Sequence, residues 1–161
     1  MEKHIRLVSW EGETFEVPFA EVLQSEFLAE TPDVSEEIHL SALQIDSFSL
    51  NSVLRFFELC RRNSKFIVKK PLKSKKLHKV VEGEAFVSFI SEFDSDQLLN
   101  LIIAADKLGV KELVELCSAA IATDYSKMSF SQQLELLGMK LDLTPEEDEF
   151  IRKYEFKWFN E

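Results

Sequence analysis

The stretch Gln97 to Ala122, "QLLNLIIAADKLGVKELVELCSAAIA", constrains this chain more than any other. Its apolar residues recur at helical spacing on both sides of Leu108-Gly109-Val110, which predicts two helices hinged at a left-handed glycine. Asp94 and Gln97 stand three apart just before it, as a capping box requires. A helical pair this oily must either fill a core or offer part of itself to another chain.

The remaining sequence arranges itself around that pair. His4 to Ser9 alternates, with Ile5 and Leu7 against His4 and Arg6; Gly12 supplies a tight turn, and Phe15 with Val17 resumes the alternation, which predicts a hairpin. A helix is predicted from Pro18 through Leu28, with Val22, Leu23 and Phe27 at its spacing, and a short strand around Ile38 and Leu40. "DSFSLNSVLRFFELC" opens on capping residues and puts Leu50, Val53, Leu54, Phe57 and Cys60 on one helical face. Phe86, Phe89, Ile90 and Phe93 share another face. Further helix starts are expected near Val110, at Ser129 with Gln132, and at Thr144 with Pro145 and Glu147. Strands come first and helices after, an α+β order.

The chain has 161 residues, 45% of them hydrophobic and 14 of them Phe, which predicts a folded unit with a substantial core. No apolar run is long enough to span a bilayer, and the N-terminus is too polar for a signal peptide, so no membrane association is expected. Two cysteines in apolar helical patterns read as reduced core residues, which predicts a cytoplasmic or nuclear location. The formal charge of −10 argues against nucleic acid as a partner. From Arg61 to Lys79, however, nine Lys and Arg stand with no acid; the other residues hold 10 basic against 29 acidic groups, or −19. This basic block, at about 61–83, reads as a flexible insertion, with a nuclear import signal or a dock for an acidic partner as the functional alternatives.

Catalysis finds little support. His4, His39 and His78 have no metal-ligand spacing around them, neither cysteine has a histidine placed beside it, and four glycines leave little for a phosphate loop. "PEEDE" at 145–149 sits where acids favour a helix N-terminus. No enzyme activity, metal or cofactor is expected. The last helix instead carries Phe150, Ile151, Tyr154 and Trp158 as a stripe, more aromatic surface than two terminal helices bury in each other, and such aromatics anchor interfaces.

Three segments, "IRLVSWEGETFEV", "LLNLIIAADKLGVKELVELCSAAIA" and "LDLTPEEDEFIRKYEFKWFNE", resemble in order and spacing the S-phase kinase-associated protein (Skp) family, adaptors of Skp-cullin-F-box (SCF) ubiquitin ligases. The resemblance covers all but residues 61–83. It implies a BTB/POZ core over 1–124 and, over 125–161, a helical extension that clasps an F-box. By position it implies an F-box surface of Ile121, Tyr125, Leu137, Met139, Phe150, Ile151, Tyr154 and Trp158, and a cullin contact at Asp106 and Lys107. There the family typically reads Ala-Ala-Asn-Tyr-Leu and this chain Ala104-Ala105-Asp106-Lys107-Leu108. A lysine does not replace the tyrosine's ring, so a Skp-like assembly subunit that has lost cullin docking, self-associating as a homodimer or larger assembly, is the alternative. "KWFNE" likewise departs from the family's usual ending.

Overall fold

A computed structural model describes residues 3–31, 37–139 and 144–155, without the side chains of 151, 152, 154 and 155. The chain opens with β1 (His4–Val8) and β2 (Thr14–Pro18), antiparallel with Ile5 opposite Val17 and Leu7 opposite Phe15. Gly12, at φ 88°, turns the hairpin, and the Ser9 N–H closes it on the Glu13 carbonyl at 2.9 Å. Alternation puts Ile5, Leu7 and Val17 inside, as the sequence pattern requires.

The helix predicted from Pro18 through Leu28 is instead two short ones, α1 (Phe19–Val22) and α2 (Glu26–Ala29). Ser25 breaks it. Its backbone is extended, its Oγ accepts from the Leu28 N–H at 3.2 Å, and the same hydroxyl donates to the Leu108 carbonyl. A serine satisfied in this way holds a cap rather than an interior position. Val22 and Leu28 are buried as a result, while Leu23 and Phe27 face outward.

β3 (Glu37–His39) returns to lie parallel to β1, with Leu7 opposite Ile38, so the sheet runs β2-β1-β3. A 3₁₀ turn at Ser41–Leu43 leads to α3 (Ser47–Arg62), capped by Asp46, whose Oδ1 accepts from the Ser49 N–H at 2.8 Å. Leu50, Val53 and Phe57 are buried on its inner face; Leu54 and Cys60 are half-buried, and Phe56, absent from the predicted stripe, is fully enclosed.

The segment read as a flexible insertion carries structure of its own. β4 (Ile67–Val68) pairs antiparallel with β5 (Val81–Glu82), preceded by the single turn α4 (Leu77–Val80). Val80 and Val81 are buried, and Phe66 stacks on Phe86 with centroids 4.8 Å apart. Aromatic burial ties the hairpin to the body despite the self-repulsion of its lysines.

α5 (Glu84–Ser91), α6 (Ser95–Lys107) and α7 (Lys111–Lys127) complete the body. Phe86, Phe89, Ile90 and Phe93 are all buried, as their spacing predicts. The Asp94–Gln97 capping box is complete: the Gln97 N–H donates to Asp94 at 2.8 Å and the Asp94 N–H to the Gln97 side chain at 3.0 Å. Gly109 ends α6 at φ 66°, where only glycine fits without strain. Leu98, Leu101, Ala104 and Ala105 on α6, with Leu113, Leu116, Cys117 and Ala120 on α7, make the helical pair largely core, packed against α3 and the sheet.

Candidate partner-binding surface

The core runs out along α7. Thr123 is its last buried residue; Ile121 and Tyr125 are half-buried. α8 (Phe130–Leu136) follows, started by a second complete capping box in which Ser129 Oγ accepts from the Gln132 N–H at 3.2 Å and Gln132 accepts from the Ser129 N–H at 2.9 Å. α8 buries none of its residues. It is pinned to α7 by polar contacts, the Gln133 amide donating to the carbonyls of Tyr125 at 3.0 Å and Met128 at 3.5 Å. Gly138, at φ 66°, ends it, with the Met139 N–H donating back to the Leu134 carbonyl at 2.9 Å. α9 (Pro145–Glu155) packs near α8 and begins with the predicted Thr144–Glu147 box, at 3.0 and 3.3 Å.

On this frame Leu137, Met139 and Phe150 are respectively 59%, 53% and 62% exposed. Leu136, which neither periodicity nor resemblance singled out, is 62% exposed and joins them in sequence. The side chains of Ile151 and Tyr154, and all of Trp158, lie outside the described residues. Covering a Leu, Met or Phe completely contributes about 1.5–3 kcal/mol. Finishing the half-done burial of these four therefore offers several kcal/mol to whatever covers them, before the cost of association.

Asp106 and Lys107 stand exposed at the end of α6. Lys107 Nζ donates to the Leu43 carbonyl at 2.7 Å, so its ammonium is bent back onto the 3₁₀ turn. On the same face, at i−4 and i−8 from it, Ile103 and Leu99 are about half exposed. The sequence signal for them was their spacing on the otherwise polar side of α6, masked by the apolar richness of the whole helix.

A recess of about 400 Å³ beside Cys60, mostly apolar, is lined by Phe66 and Phe86 together with Glu21 and Arg61, whose Oε1 and Nε lie 3.3 Å apart. Burial, aided by the nearby Glu112 charge, pushes the Cys60 thiol up to about 11, and burial alone pushes Cys117 up to about 12. Both are neutral near pH 7 and poor nucleophiles. With Ellman's reagent at about pH 8, Cys60 is expected to react more slowly than a free thiol and Cys117 only after denaturant is added. Release of the second equivalent from native protein would contradict the placement of Cys117. The sign of the alkaline effect follows: the unfolded thiol ionises near the ordinary 9.0, the folded one later, so this stabilisation is complete below about pH 9 and lost as pH rises toward 12. The exposed His39 has its Nε2 3.1 Å from Glu37 Oε1 on β3. Among the described residues no three His, Cys, Asp or Glu side chains gather as a metal site, and no helix is long and apolar enough to cross a membrane.

No family model matches the chain. Curated proteins do. It is 26% identical to SKP1-like protein 13 of Arabidopsis thaliana, the alignment covering 98% of each chain, and 27% identical to the S-phase kinase-associated protein 1 homolog of Tetrahymena thermophila, covering 98% of this chain and 94% of the relative. A shorter alignment of 77 residues is 38% identical to SKP1-like protein 19 of Arabidopsis thaliana and covers 48% of this chain and 38% of that one. The α+β arrangement of small sheets and helices is consistent with a SKP1-like BTB fold.

Proposed function

We propose, from the 26–27% identity to SKP1-like proteins over nearly the whole chain, that this protein is a non-catalytic adaptor of an SCF-type ubiquitin ligase, joining F-box substrate receptors to a cullin in the cytoplasm and nucleus. Residues 1–124 serve as the body and 125–161 as the receptor-binding extension. The observation that carries the reading is apolar surface on the terminal segment that the core leaves uncovered: no residue of α8 is fully buried, and Leu137, Met139 and Phe150 are more than half exposed. Helix-in-groove recognition needs such a face, with apolar anchors supplied by the partner. Ile121 and Tyr125, half-buried at the end of α7, belong to it on this reading, as do Ile151, Tyr154 and Trp158 by the resemblance alone.

A second reading rests on Lys107. With its ammonium bonded to the Leu43 carbonyl and Asp106 beside it, this corner presents charge where an aromatic contact is expected of the family. An assembly subunit without cullin docking fits that chemistry, the half-exposed Leu99 and Ile103 then serving self-association.

A pull-down with a purified F-box domain and a cullin N-terminal domain separates the two. The adaptor reading expects both to be retained, and a Leu137→Asp, Phe150→Asp chain to bind the F-box domain at least about 100-fold more weakly, since two charges then face apolar anchors. Failure to retain either partner ends the adaptor reading. Retention of the F-box domain alone, with cullin binding gained on Lys107→Tyr, favours the second.

A further inference from the structure

The hairpin of β4 and β5 carries most of a block of nine Lys and Arg without an acid on an acidic protein, and the structure gives that charge a shape. Phe66, Val80 and Val81 anchor it in the core, and the Lys69 N–H donates to the Val80 carbonyl at 2.8 Å, extending the two-residue ladder. Three lysines are consumed in holding it down: Lys69 pairs with Glu82 at 2.8 Å, Lys70 with Glu115 at 2.5 Å and Lys65 with Glu112 at 4.0 Å. Lys73, Lys76 and Lys79 are exposed and make no ion pair among the described residues. Two of these, Lys73 and Lys79, line an open recess of about 640 Å³ together with Lys69, Lys70, Ser74 and His78.

We propose that this recess docks an acidic, Asp/Glu-rich segment of a partner polypeptide. The chemistry of the walls selects that occupant. Lysine ammoniums are point charges that suit separate carboxylates, and the rest of the lining is Pro71, Ser74, His78 and Val80, which offers a single imidazole rather than the row of aromatic rings that a run of stacked bases uses. A duplex or long single strand would also run beyond the hairpin onto a body of formal charge −19, whereas a short acidic segment meets only the basic block. A second copy of the chain brings another net −10 with it. An import signal is read as an extended peptide, and here the lysines sit on a hairpin closed by backbone bonds and buried valines. Charge of this kind contributes mainly to the rate and selectivity of encounter. The inference stands apart from the F-box and cullin reading, since it uses neither terminal helix nor the end of α6.

Full-length protein is titrated against fluorescein-labelled oligoglutamate by anisotropy. The parent is expected to bind, with affinity falling as salt rises. A chain carrying Lys73→Gln, Lys76→Gln and Lys79→Gln is expected to bind about tenfold more weakly, while the corresponding triple Arg chain stays close to the parent. Because these three lysines hold no ion pair among the described residues, the Gln chain should melt at the parent's temperature, which separates lost docking from lost structure. Equal binding by parent and Gln chain overturns the proposal. So does tighter binding of oligodeoxythymidylate than of oligoglutamate, which assigns the patch to nucleic acid, and so does a lysine-dependent dimer in sedimentation of the protein alone, which assigns it to a second copy.

Discussion

A Phe56→Ala chain is expected to lose about 3–5 kcal/mol of stability, the cost of emptying a large site in a packed core. Phe56 is 1% exposed, and its ring lies about 6 Å from those of Phe66, Phe86 and Phe89, at 6.3, 6.0 and 6.2 Å. It therefore joins α3 to α5 and to the start of the basic hairpin at once. Truncation removes its own burial and leaves three rings without a shared neighbour, each aromatic contact worth a further 0.5–1.5 kcal/mol or so. Against a total of about 5–15 kcal/mol for a domain, the loss brings the chain close to unfolding at ordinary temperature. Urea denaturation should show a much lower midpoint with an unchanged slope. Phe150→Ala, at an exposed position on α9, is the control and should shift stability by no more than about 0.5 kcal/mol. Similar midpoints for the two variants would remove Phe56 from the centre of the core.

Gly109→Val should cost about 3 kcal/mol or more, because two penalties fall on one atom. The backbone is at φ 66°, a region that costs an L-residue about 1–2 kcal/mol and a β-branched one more. A Cβ built there would also lie 2.9 Å from the Glu26 Cβ. That approach is close because α2 is bonded to this turn: the Phe27 N–H donates to the Leu108 carbonyl at 3.2 Å, the Glu26 N–H to the Gly109 carbonyl at 3.4 Å, and Ser25 Oγ to the Leu108 carbonyl. A new side chain must push α2 away and break these bonds. Thermal melts should place Gly109→Val far below the parent and Gly109→Asn between them, since asparagine tolerates the left-handed region. If Val and Asn melt together near the parent, the turn is not the constraint described.

What was readable in advance was chemistry that acts over one turn of chain. The boxes at Asp94 and Gln97, Ser129 and Gln132, and Thr144 and Glu147 each need only two side chains three residues apart, and all three form. What was unreadable depends on partners far along the chain. Ser25 interrupts a helical pattern because a carbonyl 83 residues away accepts its hydroxyl. The block at 61–83 reads as a loop by charge, yet Phe66 finds Phe56 and Phe86, and Val80 and Val81 find the interior. The candidate surface shows the same division. An apolar stripe at helical spacing is ambiguous between core and contact face, so periodicity alone leaves Phe150 open, while Leu137 and Met139 are named only by the resemblance; the exposure of all three had to come from the fold. Lys107 was legible as a changed residue, but its bond to Leu43 was not.

The join between α7 and α8 is fastened by the Gln133 side chain, and the apolar Phe130 and Leu134 of α8 are only half-buried. Mutational drift in the last helices is thus decoupled from the thermodynamic solvency of the domain that carries them. Substitutions can accumulate there while the scaffold remains intact, so the freedom to vary is concentrated at one end of the molecule.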